Sequence, residues 1–192
     1  MLCDVSRCSK GKWATDYAGE NPDINVLGVD IRQPVIDLAM ARKHSLHLNN
    51  VHFLKSNANV DICQILASIE NSVSTGVELI TIQFPDPYFK ARQHKRRLVN
   101  EQFIRNILKG NIAVGTKIFI QTDVEELMLA MVEVLEKNSP LVMLVDGQSF
   151  SNTLHNPSPY DLMPTERELS CRENGNNLIH RVMMQTKATF ET

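Results

Sequence analysis

The chain alternates between short apolar segments that predict strands and amphipathic segments that predict helices. This alternation constrains the fold more than any other feature of the sequence. The predicted strands are Val26–Asp30, Val51–Lys55, Val77–Phe84 and Lys117–Asp123, and the predicted helices are Trp13–Gly19, Pro34–Ser45, Val60–Glu70, Asn100–Leu108 and Val124–Lys137. This order predicts an α/β fold, with a mostly parallel central sheet flanked by helices.

The spacing of apolar residues also predicts which face of a helix is buried. In the helix that begins at Pro34, the residues at helical spacing are Val35, Leu38, Ala39 and Arg42. In the helix that begins at Val60, one apolar face is formed by Ile62, Ile65, Leu66 and Ile69, and in the helix that begins at Asn100 the residues expected to point inward are Phe103, Ile104, Ile107 and Leu108. Ahead of the first predicted helix, Leu2–Val5 is strand-like but too short for a comfortable central strand. Met1 begins almost inside this strand.

Polar side chains stand at or near the ends of five successive predicted strands. They are Asp4, Asp30, Asn57, Asp86 and Asp123. A parallel sheet brings these ends to one edge, and open α/β sheets bind ligands beyond the carboxyl ends of their strands. A ring of carboxylates at this edge suits a ligand that is cationic and rich in hydroxyl groups.

The segment from Phe84 to Arg97 has the highest density of residues that could bind a ligand. Pro85 and Pro87 cannot continue a strand ladder, so the strand is expected to stop at Asp86. An aromatic residue, Tyr88, and five cations follow: Lys90, Arg92, Lys95, Arg96 and Arg97. A charge cluster is usually a solvated helix face, and that alternative stays open. The proline turn and the neighbouring aromatic residue favour a binding site.

Length and composition indicate one domain over residues 1–192. Charged residues make up 22% and apolar residues 43%, which excludes disordered and fibrous classes. The formal charge of −2 argues against non-specific binding of polyanions. RNA is not excluded, because the cations are concentrated between Lys90 and Arg97.

The four cysteines show no Cys-x-x-Cys spacing, so we expect no metal site. Few cysteines in a chain of this length suggest reduced thiols inside a cell. No apolar run approaches the ~20 residues that span a bilayer, and no signal-peptide pattern is present. We therefore expect a cytoplasmic protein without membrane contact. If the source is eukaryotic, a nuclear or organellar location stays open as an alternative.

The segment Phe84–Val99 resembles the signature of the tRNA (guanine-N7)-methyltransferases, in which Trp usually stands at the position of Tyr88. The resemblance covers most of the chain from Gly11 onward. Members of the family usually carry an additional segment before the first strand, so the resemblance also implies that the chain is a fragment, a shortened gene model or a reduced variant. It implies a Rossmann-like class I fold that depends on S-adenosylmethionine, and a last strand at Leu178–Thr186. The implied activity is methylation of guanine N7 in the variable loop of tRNA.

The resemblance assigns S-adenosylmethionine, the implied cofactor, to Asp4, Gly11, Asp30, Asn57 and Asp86. Asp30 would bind the ribose hydroxyls, although it could instead cap the next helix. Asn57 would contact the adenine, although an Asn after a strand is often only a turn residue. Gly11 is the one glycine left in a loop that carries three in the family, because Ser6–Lys10 departs from the pattern.

The resemblance also implies residues for catalysis and for tRNA. Methyl transfer to N7 needs alignment rather than a base, and Asp86 is expected to stabilise the positive charge that builds on the purine. Tyr88 would stack on the base, and the cations from Lys90 to Arg97 would contact phosphates. The residues assigned to substrate binding by the family motifs are Asp123, Thr165 and Glu168, of which the last two also form a capping-box pattern.

Two further alternatives stay open at this point. The altered loop is compatible with an RNA-binding relative that has lost the cofactor, whereas a nicotinamide-dependent enzyme lacks its Gly-x-Gly-x-x-Gly fingerprint. Some eukaryotic members of the family require a β-propeller subunit, and that partner, a monomer and a homodimer are all compatible with the sequence.

Overall fold

A computed structural model describes residues 1–5, 8–72, 76–110, 112–138, 142–144, 162–175 and 178–187. Ser6 and Arg7 of the altered loop lie outside these residues. The strands are β1 (Leu2–Asp4), β2 (Val26–Asp30), β3 (Val51–Lys55), β4 (Leu79–Gln83), β5 (Lys117–Thr122), β6 (Val142–Leu144) and β7 (His180–Thr186). The helices are α1 (Lys12–Glu20), α2 (Gln33–Ser45), α3 (Ala58–Ser72), α4 (Glu101–Lys109), α5 (Glu125–Lys137) and α6 (Glu166–Glu173), with a 3₁₀ helix at Ala91–Arg96.

The described strands form one seven-stranded sheet in the order β3-β2-β1-β4-β5-β7-β6. Strands β1 to β5 are parallel, and β7 pairs antiparallel with both β5 and β6. This confirms the predicted α/β fold with a mostly parallel sheet, and it confirms the last strand. The strand β6 was not predicted.

The expectation that the first strand is too short to be central was wrong. β1 has three residues, yet it lies between β2 and β4 and pairs with both. Leu2 and Cys3 are buried on opposite faces of the sheet. Pairing on both sides and burial on both faces stabilise a strand that its own length would not.

The two faces of the sheet carry two apolar clusters. On one face, Ile80 and Ile82 of β4 pack among residues of α3, α4 and α5. On the other face, Leu2 and Phe119 pack with Trp13 of α1. Because successive side chains of a strand point to opposite faces, the sheet contributes residues to both clusters, as expected for a sheet covered by helices.

Most helices bury the face that was predicted, but the predicted buried face of α2 was wrong. Leu38 is 52% exposed, whereas Ile36 and Ala39 are buried. The contacts of α2 are with the outer strands β2 and β3 and with α1, so only a narrow stripe of the helix is covered. By contrast, α3 and α4 bury the expected residues, namely Ile62, Ile65, Leu66, Ile69, Phe103, Ile104, Ile107 and Leu108.

Gly28 in β2 is a position where the packing requires glycine. A Cβ atom there would lie 2.7 Å from Cδ1 of Phe53 and 2.9 Å from Cβ of Cys8. We expect Gly28→Ala to lower the free energy of unfolding by about 1–3 kcal/mol, because overpacking a buried site displaces its neighbours. Urea denaturation measures this change.

Gly19→Ala is the matched control. Gly19 is exposed in α1, and its nearest neighbour to an added Cβ, Leu48, is 4.0 Å away. Removing a glycine from a helix should raise stability by up to about 1 kcal/mol. A Gly28→Ala variant as stable as the wild type would contradict the packing described here.

Candidate functional site

The carboxyl ends of the five parallel strands meet at one edge of the sheet, and the predicted polar residues stand there. Asp4 and Asp30 are the last residues of β1 and β2. Asn57 follows β3 by two positions, Asp86 follows β4 by three, and Asp123 directly follows β5. Two cavities open at this edge.

The first cavity has a volume of about 330 Å³ and lies beside the ends of β2 and β3. Asp30, Asn57 and Asp86 line it, together with Tyr88 and the apolar side chain of Ile31. Ile31 is 58% exposed although it is aliphatic. This cavity therefore combines carboxylates, an amide and an apolar surface, within the size range of small-molecule sites.

The second cavity has a volume of about 450 Å³ and lies over β1, β4 and β5. Its wall includes Asp4, Trp13, Phe89, Asp123 and Arg167. Pro85 and Asp86 belong to the walls of both cavities. The carboxylate of Asp86 therefore stands where the two cavities adjoin.

The chain leaves β4 through a turn that is strained at both ends. Phe84 has a φ of 49° and Tyr88 a φ of 44°, in the left-handed region that residues other than glycine rarely adopt. Between them, Pro85-Asp86-Pro87 carries the shared carboxylate out of the sheet. Such strain costs of order 1–3 kcal/mol at each residue and is found where a side chain must be held for function.

The loop after β1 keeps the backbone geometry that glycine would favour. Ser9 has a φ of 51° and Gly11 a φ of 71°. A Cβ on Gly11 would lie 2.7 Å from both Cβ of Ala39 and Cζ of Phe53. Gly11 therefore lets the loop pack closely on α2 and β3, and Ser9 holds a left-handed conformation without being glycine.

Asp30 is buried at the end of β2 and pairs with Arg32. Its Oδ1 accepts hydrogen bonds from the main-chain N (2.9 Å) and Nε (3.0 Å) of Arg32, and its Oδ2 accepts from Nη2 (2.9 Å). The hydrogen bond to Asp30 raises the pKa of Arg32 above its ordinary value. The N-cap of α2 is Arg32 and not Asp30, so Asp30 orders the turn rather than capping the helix.

Asp4 and the nearby thiol belong to the second cavity. Oγ1 of Thr81 donates a hydrogen bond of 3.0 Å to Oδ1 of Asp4. Burial raises the pKa of the Cys8 thiol well above its ordinary value, and the charges of Asp4 and Asp30 raise it further. Cys8 is therefore a protonated, unreactive wall residue.

Most of the basic cluster is exposed, but one member is not. Lys90, Arg92, Lys95 and Arg96 are exposed along the 3₁₀ helix. Arg97 is only 8% exposed. Its Nε donates to the carbonyl of Pro87 (2.8 Å), and its Nη2 contacts Nε2 of His94 (3.1 Å) and Oε1 of Glu126 (3.2 Å). Arg97 thus holds the Asp86 turn. Lys90, Arg92 and Lys95 face solvent, and Arg96 is exposed but also lines the first cavity.

The Thr165–Glu168 motif caps α6 and reaches into a buried network. Oγ1 of Thr165 accepts a hydrogen bond from the main-chain N of Glu168 (3.1 Å). The carboxylate of Glu168 does not return to the cap. Its Oε1 accepts from Arg181 (2.7 Å) and from Arg172 (2.8 Å), and Glu168 is 2% exposed.

Asp123 lies in the second cavity and pairs with Arg167, a residue that the sequence analysis did not single out. The guanidinium of Arg167 donates to Oδ2 of Asp123, and this hydrogen bond raises the pKa of Arg167. The thiol of Cys171 contacts the same oxygen at 3.6 Å. The sequence analysis also missed Ile31, Trp13 and Phe89. Their exposure or cavity position depends on the fold, so no local pattern marks them.

The described residues contain no group of three or more His, Cys, Asp or Glu side chains placed to hold a metal ion. Among the described helices, none is long and apolar enough to cross a membrane.

The position of Arg97 predicts a role in stability. Arg97→Ala should lower the free energy of unfolding by about 1–3 kcal/mol, because it leaves the partly buried carbonyl of Pro87 and the carboxylate of Glu126 without their charged donor. Arg92→Ala, at an exposed position of the same cluster, should leave stability unchanged. Thermal and urea unfolding compare the two variants, and equal stabilities would contradict a holding role for Arg97.

Comparison with known proteins agrees with this geometry. A family model described as "Putative methyltransferase" matches residues 1–180. Among solved structures, an rRNA methylase from Streptococcus thermophilus superposes with a TM-score of 0.56 at 13% identity, covering 97% of this chain and 86% of that one. A methyltransferase from Aquifex aeolicus also gives a TM-score of 0.56 at 13% identity, covering 96% and 80%. These neighbours identify the fold as the class I methyltransferase fold.

Sequence relatives are closer. A tRNA (guanine-N(7)-)-methyltransferase of Synechococcus sp. strain JA-3-3Ab is 37% identical over 86% of this chain and 64% of its own length. The enzyme of the same name from Trichormus variabilis is 33% identical over 88% of this chain and 74% of its own. The chain thus spans roughly two thirds to three quarters of these relatives. It belongs to the tRNA (guanine-N7)-methyltransferase family.

Proposed function

We propose that the protein transfers a methyl group from S-adenosylmethionine to N7 of a guanosine in the variable loop of tRNA. The observation that carries this proposal is the place of Asp86 in the wall shared by two cavities. Such a carboxylate can face a cofactor on one side and a base on the other. The relatives named above are called tRNA (guanine-N(7)-)-methyltransferases.

The first cavity fits the chemistry of S-adenosylmethionine. Asp30 offers carboxylate oxygens to the ribose hydroxyls, and the side chain of its present partner Arg32 is 44% exposed. Asn57 offers an amide to the adenine, and Ile31 offers an apolar surface for stacking. Asp86 lines both cavities and Asp4 lines the second, so both carboxylates suit the cationic end of the ligand where the two cavities adjoin.

When bound, S-adenosylmethionine supplies an activated methyl group on a sulfonium. Guanine N7 has an accessible lone pair, so the protein needs only to align the base with that methyl group. Asp86 then stabilises the positive charge that develops on the purine, since a fixed carboxylate is better matched to the transition state than to the neutral base. The strained turn and Arg97 hold Asp86 in place for this.

The second cavity and the outward cations suit tRNA. Phe89 is 66% exposed at the cavity wall, and with Trp13 it offers aromatic surface for an extracted base. Tyr88, the residue expected to stack, lines the first cavity instead. Lys90, Arg92, Lys95 and Arg96 would bind phosphates, while Arg97 serves the turn. Asp123, through Arg167, would meet the substrate at the rim.

Thr165 lines the second cavity, and Glu168 supports that wall through its buried ion pair with Arg181. Thr165 begins α6, and Glu168 anchors that helix to Arg181 of β7, so the pair places Arg167 at the cavity. Residues of this chain line both cavities. We propose that the chain forms one domain and that this domain binds tRNA.

The alternative of an RNA-binding relative without the cofactor is less well supported. Its argument was the altered loop after Asp4. Ser9 and Gly11 nevertheless keep the left-handed conformations of a glycine loop, and Gly11 still packs on Phe53. The first cavity also keeps Asp30 and Asn57.

The first prediction from this proposal concerns the cofactor. Ile31→Ser should weaken S-adenosylhomocysteine binding about tenfold, because it removes apolar surface from an exposed stacking position. Leu38→Ser is the matched control, since Leu38 is 52% exposed on α2 and lines neither cavity. Isothermal titration calorimetry compares the variants, and equal affinities would argue against this location for the adenine.

The second prediction concerns Asp86. Asp86→Asn should lower kcat for methyl transfer to tRNA about 100-fold or more, because it removes the charge that stabilises the transition state. The dissociation constant for tRNA should change by less than about threefold. Single-turnover kinetics and filter binding separate the two effects.

Asp23→Asn serves as the control for the charge change. Asp23 is exposed and precedes β2, at the opposite edge of the sheet. It should retain full activity. If Asp86→Asn weakens tRNA binding as much as it slows the reaction, Asp86 contributes to binding alone and the proposed role is wrong.

A further inference from the structure

A row of buried polar side chains crosses the sheet just below the second cavity. Gln83 in β4 stands opposite Gln121 in β5, and Gln121 stands opposite Arg181 in β7. All three residues are buried, with exposures of 7%, 2% and 3%. Two residues away along β5 and β7, the same face of the sheet carries apolar residues instead, namely Phe119 and Met183.

Arginine fixes the direction of every hydrogen bond in this row. A guanidinium only donates, so the atom of Gln121 that accepts from Nε of Arg181 (3.2 Å) must be the oxygen. The amide nitrogen of Gln121 is then the atom that donates to Oε1 of Gln83 (2.7 Å). Oxygen and nitrogen of an amide are otherwise difficult to distinguish, and here the chemistry of the row assigns them.

Glu168 fixes the far end of the row. Its Oε1 accepts from Nη2 of Arg181 (2.7 Å) and from Nη2 of Arg172 (2.8 Å). Arg181 is therefore held by a buried carboxylate, and it cannot turn away from Gln121 without leaving that charge uncompensated. The order of donors and acceptors along the row is set from Glu168 to Gln83.

This order of donors and acceptors determines which group Gln83 presents to the second cavity. Gln83 lines that cavity beside Phe84, Pro85 and Asp86. Because its Oε1 is committed to Gln121, the group that Gln83 contributes to that wall is an N–H donor. Asp86 contributes an acceptor to the same wall. The wall therefore presents a donor beside an acceptor, in a fixed order.

We propose that Gln83 selects guanine by donating a hydrogen bond from its amide to guanine O6. Guanine carries an acceptor at O6 next to donors at N1 and the 2-amino group, which matches an N–H donor beside a carboxylate. Adenine carries a 6-amino donor next to an acceptor at N1, which opposes both. Adenine in this place would set its 6-amino donor against the amide of Gln83 and its N1 acceptor against the carboxylate of Asp86. A site built for one hydrogen-bond pattern discriminates strongly against the opposite pattern.

This inference rests on the proposed function, and it is tested with one change in the substrate and one change in the protein. The substrate is a tRNA in which the target guanosine is replaced by 6-thioguanosine, which keeps N7, N1–H and the 2-amino group but offers sulfur, a weaker acceptor. The protein variant is Gln83→Met, which keeps the length of the side chain and removes the donor. The measured quantity is kcat/KM for methyl transfer in all four combinations.

We expect wild type to lose about tenfold on 6-thioguanosine, since one weakened hydrogen bond of about 1.4 kcal/mol corresponds to this factor. Gln83→Met should lose about tenfold or more on guanosine and show less than about twofold further loss on 6-thioguanosine. Equal sensitivity of wild type and Gln83→Met to the sulfur would overturn the proposal, because Gln83 would then not contact position 6.

Two measurements keep the result interpretable. Thermal unfolding and S-adenosylhomocysteine affinity report whether Gln83→Met is folded. If it is not, wild type alone still decides, since undiminished activity on 6-thioguanosine contradicts a hydrogen bond to O6. Failure of the proposed function looks different, because wild type would then methylate neither substrate.

Discussion

The abrupt exit of the chain from β4 is the constraint on which the rest of the site depends. The main-chain N of Phe84 still donates to the carbonyl of Gln121, and the two prolines that follow have no N–H to continue the ladder. The left-handed conformations of Phe84 and Tyr88 then lift Asp86 above the sheet edge. Without this exit Asp86 would lie in the strand, and the two cavities would have no carboxylate between them.

The strained turn persists because neighbouring elements hold it. Arg97 donates to the carbonyl of Pro87 and contacts Glu126 at the start of α5. Asn100 donates to the carbonyl of Arg97 (3.0 Å) and caps α4 through the main-chain N of Phe103 (2.9 Å). The turn is thus hydrogen-bonded to two helices whose apolar faces pack in the larger cluster. The favourable packing of these helices offsets the conformational strain of the turn.

Much of the fold and the approximate position of the site follow from the sequence alone. Periodicity is local, so the strands and most helix faces were predictable, and the parallel topology then gathers Asp4, Asp30, Asn57, Asp86 and Asp123 at one edge. The separate roles of the cations could not be predicted from the sequence. Arg96 and Arg97 are neighbours of the same type, and only the three-dimensional path of the turn makes one exposed and the other buried.

The division between Tyr88 and Phe89 was unpredictable for the same reason. Adjacent residues face different cavities because Tyr88 has a positive φ, which no residue pattern indicates. The row from Gln83 to Arg181 depends on the register between β4, β5 and β7, whose residues are far apart in sequence. Non-local pairing of this kind leaves no signal in a single sequence.

The central claim is that base and cofactor meet at Asp86 so that N7 of guanine receives the methyl group. The most direct measurement uses S-adenosylmethionine labelled in its methyl group, unmodified tRNA and the purified chain, followed by digestion and identification of the labelled nucleoside. We predict label in N7-methylguanosine from the variable loop, and no label when that guanosine is replaced by 7-deazaguanosine. Label in any other nucleoside, or no transfer by a protein that binds the cofactor and tRNA, would contradict the account.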